Sequence, residues 1–278
     1  MKKIIILIIL FIPILSGCYN YRELNDLSIV TAVSISKDND MYNLVVQVIN
    51  PKNILDSSKE GQPNFITYRK SAKNIQKAFR EIVLESPNKI YMAHMQILIF
   101  DESIAKDGIE PVLDYFMRDT EVRDEFMVLV GKGDEILDII TPIENISSQN
   151  ILNSLKNTNR YLGMASLVTY NDMMNTYLSN KKEIALPSIT VVGNTKIGSD
   201  DENVESSQSS ADILISGMAI FKDNKLVGYL AQDESVAYNF ITDNISDACE
   251  DNIRLIEENN FKDKDVTYTE YLDFMAVC

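Results

Sequence analysis

Few residues of this chain could do covalent or metal chemistry. His94 is the only histidine, and the three cysteines are Cys18, Cys249 and Cys278. A catalytic histidine needs a nucleophile and an orienting group within reach, and no Gly-x-Ser-x-Gly elbow supplies them. His94 lies between Ala93 and Met95 in an apolar run, where strand alternation groups it with Met92 and Gln96. The expectation is a structural histidine bonded to a backbone group. Cys249 and Cys278 lack any zinc-ligand spacing, although an oxidising exterior would permit a disulfide between them. Asp200, Asp201 and Glu202 do not alternate as calcium-loop ligands do. Gly131-Lys132-Gly133 lacks the rest of a phosphate loop and reads as a turn. Carboxylates are abundant, yet no pair stands out as acid and base. No metal, no cofactor and no enzyme activity are expected.

Cys18 is different. Lys2 and Lys3 precede twelve apolar residues, Ile4 to Leu15, and then Ser16-Gly17-Cys18. A basic start, a short apolar run and small residues before a cleavage point make a secretory leader. The run is too short for a spanning helix, which needs about 20 apolar residues. Leu15-Ser16-Gly17-Cys18 resembles a bacterial lipobox, which implies cleavage before Cys18 and diacylglycerol on its sulfur. Cys18 is therefore the candidate lipidation residue, and the lipid bilayer the first expected partner.

Cleavage there leaves 261 residues, enough to bury a sizeable core. Losing Lys2 and Lys3 takes the net charge from −15 to −17. Such an acidic surface repels nucleic acid and anionic head groups, so attachment falls to acyl chains and protein partners.

The elements behind these residues read as α/β. Leu27–Ser36 and Leu44–Ile49 are β-rich and flank the polar turn Lys37-Asp38-Asn39-Asp40, which predicts a hairpin. Asn64–Lys70 is a further strand. Ser71 is expected to open a helix whose stripe is Ala72, Ile75, Ala78, Phe79, Ile82 and Val83. Ile90–Phe100 reads as one buried central strand. Ile109, Val112, Leu113, Phe116 and Met117 form a helix face, and Phe126–Val130 is strand-like. Helices are expected at Asp134–Ile140, Ser148–Tyr161 and Thr169–Leu178, the last capped by Thr169 or Asn171. Glu183–Val192 is a strand in which Pro187 favours an edge or a bulge.

Residues 194–210 are acidic and Ser-rich, and read as a flexible linker. Beyond them, Ile213–Lys222 and Lys225–Leu230 flank the tight turn Asp223-Asn224, and a helix starts at Asp233 or Ser235. The expected organisation is a leader over 1–17, an N-terminal domain over 18–193, a linker over 194–210 and a partial C-terminal domain over 211–278. The fold class is α/β (α+β), mixed sheets flanked by helices in two blocks.

Four ordered blocks resemble the Ger(x)C family of spore germination lipoproteins, the C subunit of germinant receptors. The first is Gly17-Cys18-Tyr19-Asn20-Tyr21-Arg22-Glu23-Leu24-Asn25-Asp26-Leu27. The second runs from Glu85-Ser86-Pro87 through Tyr91, His94, Gln96 and Ile97 to Phe100. The third is Asp114-Tyr115-Phe116-Met117-Arg118-Asp119 with Glu121 and Arg123. The fourth joins Gly217–Lys222 to Leu226–Leu230. Tyr19 and Asn20 stand where the family has Trp and Asp.

The resemblance implies a non-catalytic lipoprotein on the outer face of the spore inner membrane. It would sit beside two membrane subunits of a receptor that senses nutrients. The resemblance also implies a longer C-terminal region than Ile245–Cys278 provides, so that tail is expected to be truncated, frameshifted or divergent. The alternative reading is a solute-binding lipoprotein with a cleft between two comparable lobes.

Overall fold

A computed structural model describes residues 26–49, 65–133, 148–179, 182–193, 211–242 and 244. The expected lipobox, the helix expected at 134–140, the linker expected at 194–210, the tail, Cys249 and Cys278 lie outside the described residues.

β1 (Leu27–Asp38) and β2 (Met41–Ile49) form the expected hairpin, closing at Asp38 opposite Met41. Its two-residue turn needs a left-handed backbone, and Asn39 takes it with φ +52°. β3 (Phe65–Ala72) continues antiparallel along β2. β5 (Ile97–Asp101), β6 (Met127–Gly131) and β7 (Ala185–Gly193) then follow β1 in parallel. β8 (Ala211–Lys222) and β9 (Lys225–Leu230) complete the sheet antiparallel, through a turn in which Asp223 has φ +56°. The order is β3-β2-β1-β5-β6-β7-β8-β9, with the short β4 (Lys89–Tyr91) beside the start of β1. The sheet is mixed, with a parallel centre between antiparallel edges, and it includes strands from both sides of residues 194–210.

Helices cover both faces. α1 (Ile75–Ile82), α2 (Glu102–Asp107), α3 (Glu110–Arg118) and α5 (Tyr170–Ser179) pack on the face that presents Val33, Val46, Leu98, Phe100 and Val130. α4 (Ser148–Leu162) and α6 (Gln232–Ile241) pack on the other, against Ala32, Val45, Ile97, Ile99 and Leu129. Covering both faces explains why β5 is apolar at each of its first four positions, with no polar alternation.

Several expectations need correction. Ile90–Phe100 is two strands: β4 pairs with Leu27–Ile29, β5 pairs from Ala32 onward, and Met92–Gln96 turn between them. The break coincides with a bulge in β1 between Val30 and Ala32, where the Thr31 carbonyl accepts the Gln96 N–H at 2.9 Å. His94 therefore lies on the surface in that turn, edge-on to Tyr91 at 5.9 Å, and is no buried structural histidine. Ser71 and Ala72 belong to β3 because the ladder runs on to Ala72 opposite Tyr42. α1 starts only after Asn74, whose side chain accepts the Lys77 N–H at 2.7 Å. Pro187 is at no edge, since β7 lies between β6 and β8, but a bulge does follow it at Ser188/Ile189. Thr169 caps α5 as expected, accepting the Asp172 N–H at 3.1 Å.

Gly217 in β8 holds the C-terminal hairpin against α6. Its φ is +110°, and a Cβ there would lie 2.5 Å from the Leu230 carbonyl and 2.8 Å from Ser235 Oγ. Gly228 in β9 faces open space. Gly217→Ala should destabilise the protein by roughly 1–3 kcal/mol and Gly228→Ala by well under half of that, as read by thermal melts of the two variants.

Candidate functional site

Three of the four sequence blocks meet where β1 begins. Leu27, the last residue of the first block, pairs with Lys89. Ser28 Oγ lies 2.9 Å from Ser86 Oγ, both buried, and Ser86 Oγ also donates to the Asn88 carbonyl at 2.8 Å. Lys89 then pairs with Glu121 of the third block. Sequence order separates these residues by as much as 94 positions, and the parallel pairing of β4 on β1 brings them to one end of the sheet.

An aromatic chain positions the third block. Tyr115 stacks on Phe79 of α1 at 5.0 Å with 6° between the rings, and Phe116 meets Phe79 edge-on at 6.4 Å. Phe116 continues to Phe126 at 5.5 Å, and Phe126 to Tyr170 of α5 at 5.0 Å. The Tyr170 hydroxyl donates to the Leu113 carbonyl at 2.8 Å. Such pairs add about 0.5–1.5 kcal/mol each beyond area burial, so α3 is fixed between α1 and α5. The loop after it is fixed by Asp119, whose carboxylate accepts the Glu121 N–H at 2.9 Å and lies 3.4 Å from the Tyr115 hydroxyl.

Two open clefts flank this block. One, of about 600 Å³, is polar and lined by Tyr42, Lys73, Gln76, Asp114, Arg118 and Asp119. Arg118 Nε donates to Asp114 at 2.7 Å across one helical turn. The other, of about 620 Å³, is more apolar and includes Met117, Val122, Arg123, Met174 and Leu178. The Arg118–Asp114 pair sits near solvent, with both side chains about half exposed or more. Among the described residues, no three His, Cys, Asp or Glu side chains converge on a point that could hold a metal.

Burial shapes the tyrosines of this region. Tyr170 is pushed up to about 12, by burial first and then by Asp114 and Asp124. Tyr115 is raised further, again by burial first, with Asp119 adding to it. Gly131-Lys132-Gly133 is a turn at the end of β6, with Lys132 Nζ 5.2 Å above the Tyr229 ring.

Sequence reasoning missed a set of buried polar residues. Ser34 donates to Asp101 at 2.9 Å between β1 and β5, and both are buried. Thr31 Oγ1 donates to Gln47 Oε1 at 3.1 Å, and that oxygen also accepts the Ser148 N–H at 3.0 Å. Asn239 bonds Ser166 and the Gly163 carbonyl, tying α6 to the segment after α4. The only advance sign was a polar residue amid β-branched neighbours, as at Ser34, and that does not name a partner.

Residues 20–191 match the family described as spore germination protein N-terminal domain, and residues 216–269 match spore germination B3/GerAC like, C-terminal. Spore germination protein KC of Bacillus subtilis (strain 168) is 32% identical over 241 residues, covering 83% of this chain and 59% of that protein. Spore germination protein B3 of the same organism is 23% identical over 233 residues, covering 82% of this chain and 58% of that protein. Spore germination protein A3, also from it, is 26% identical over 126 residues, covering 43% and 33%. The chain thus spans about three fifths of the first two relatives. No solved structure matches it.

Tyr170→Phe should lower stability by roughly 0.5–1.5 kcal/mol through the lost bond to Leu113, as read by denaturant titration. Raising the folded pKa of Tyr170 makes its contribution fully present below pH 10 and lost as pH rises to about 12. Alkaline unfolding of the parent should accordingly fall in that window, and Tyr170→Phe should make it shallower when both are followed by circular dichroism.

Proposed function

The chain belongs to the GerAC-like family of spore germination proteins, and from that premise we propose that it is a membrane-anchored, non-catalytic subunit of a nutrient germinant receptor. The observation that carries the reading is agreement along the chain. Family similarity covers residues 20–191 and 216–269 in the family's own order, and a lipobox at Leu15–Cys18 stands just ahead of the first of them. Diacylglycerol on Cys18 would supply two acyl chains, the number at which anchoring becomes stable. The adaptor would then act on the outer face of the spore inner membrane, beside the membrane subunits of the receptor.

The geometry is consistent with recognition. Three family blocks meet at one end of the sheet, and among the described residues the two clefts beside α3 line up no nucleophile with a base. The solute-binding alternative calls for two comparable lobes around a cleft, whereas β7 and β8 join the segments before and after residues 194–210 in one sheet. Among the described residues, no helix is long and apolar enough to cross a membrane, so in this reading attachment rests on Cys18 and on partners.

Two measurements test it. Cys18→Ser should move the protein from the membrane fraction of spores to the soluble fraction, and retention would mean that partners hold it. Deleting the gene in a host without a redundant receptor should slow or abolish germination with at least one nutrient. Normal germination with every nutrient would sink the reading.

A further inference from the structure

The turn after α1 exposes apolar surface at the end of the sheet where β1 begins. Backbone bonds from Leu84 to Glu81 and from Glu85 and Ser86 to Ile82 close this turn. Ile82 is fully buried beneath it, while Val83 is 52% and Leu84 83% exposed. Ile66, 40% exposed, sits at the same end, opposite Val48, which pairs in turn with Val30 near the start of β1. One exposed leucine needs no explanation. Three apolar side chains at one end, two of them adjacent on a closed turn, call for one.

Charge and reach point to the same covering. Residues 65–89 carry six Lys or Arg against two Glu. Lys70, Lys77 and Lys89 pair with Glu85, Glu81 and Glu121, and with Glu121 included the segment keeps a net +3 in a chain of −15. Basic segments beside exposed apolar side chains are attracted to anionic lipid surfaces. Cys18 and Leu27 are nine residues apart, so the tether spans at most about 30 Å. β1 extends its 12 residues over roughly 36 Å. A molecule standing on the β1–β2 hairpin tip would hold Leu27 farther from the bilayer than the tether reaches. The opposite orientation sets the turn down beside the anchor.

We propose that the Val83-Leu84 turn, with Ile66 beside it, rests in the head-group region of the membrane and forms a second attachment next to Cys18. The inference rests on the reading of Cys18 as lipidated. It refines the view that an acidic chain avoids anionic lipid: the net charge is negative, whereas residues 65–89 are basic. The contact would fix which way the clefts and the third family block face relative to membrane partners.

The chain has no tryptophan, so Leu84→Trp makes a single reporter, and Asp40→Trp at the hairpin tip makes its control. The full-length acylated protein carrying either is reconstituted on phosphatidylcholine–phosphatidylglycerol vesicles with and without brominated acyl chains. The indole of the Leu84→Trp variant is expected to shift to the blue and lose roughly half its emission to bromine, as for a ring about 5–10 Å into the interface. The indole of the Asp40→Trp control stays unquenched. Co-flotation of both variants with no quenching at position 84 would overturn the contact and leave the anchor standing. Failure of both to float would overturn the Cys18 reading, and the contact with it. A blue shift at position 84 only when membrane subunits are added, without bromine quenching, would also overturn the proposal in favour of a protein contact.

Discussion

The structure depends on the hydrogen-bonding needs of β1. This strand is buried along most of its length, so its backbone groups must find partners on both edges or remain unsatisfied at a cost of roughly 1–3 kcal/mol each. β2 supplies one edge through a two-residue hairpin. The other edge is shared by two strands from one sequence segment, β4 at the start and β5 beyond. Because β4 and β5 run parallel to β1, the segments that enter β1 and β4 are forced to the same end of the sheet. The meeting of three family blocks there is a consequence of that pairing.

Polar groups inside the sheet reinforce this arrangement. Ser34 and Asp101 link β1 to β5 at the carboxyl ends of the strands. Gln47 joins β2 to the Thr31 bulge and to the first turn of α4. These bonds are directional, and each spans two elements that apolar packing alone would let slide. On the opposite face the aromatic run from Phe79 to Tyr170 does comparable work by shape, since stacked rings tolerate little translation. The third family block is rigid for this reason, although its outer side chains are solvated.

The charges beside α3 are solvated, and Arg118 and Asp114 pair across one helical turn. Catalysis wants ionisable groups withdrawn from water and aimed at one reacting atom. Here the buried carboxylate Asp101 is held by Ser34 within the sheet, whereas Asp114, Arg118 and Asp119 line an open cleft beside α3. The molecule has two unlike ends, one where the chain arrives from Cys18 and one at the hairpin tip.

Most elements and the α/β class were legible in the sequence, because periodicity and turn chemistry act locally. The hairpins at Asn39-Asp40 and Asp223-Asn224, the Thr169 cap and the apolar stripe of α3 follow from residues within a few positions of one another. Tertiary structure decided the rest. A bulge in β1 broke Ile90–Phe100 into two strands and put His94 on the surface, because the pairing partner, and not the apolar run, sets where a ladder can continue. The extension of β3 through Ala72 delayed α1, and the early end of α1 left Val83 outside the core stripe. Buried pairs such as Ser34–Asp101, 67 positions apart, have no local signature, because only the closed sheet brings their atoms within hydrogen-bonding distance.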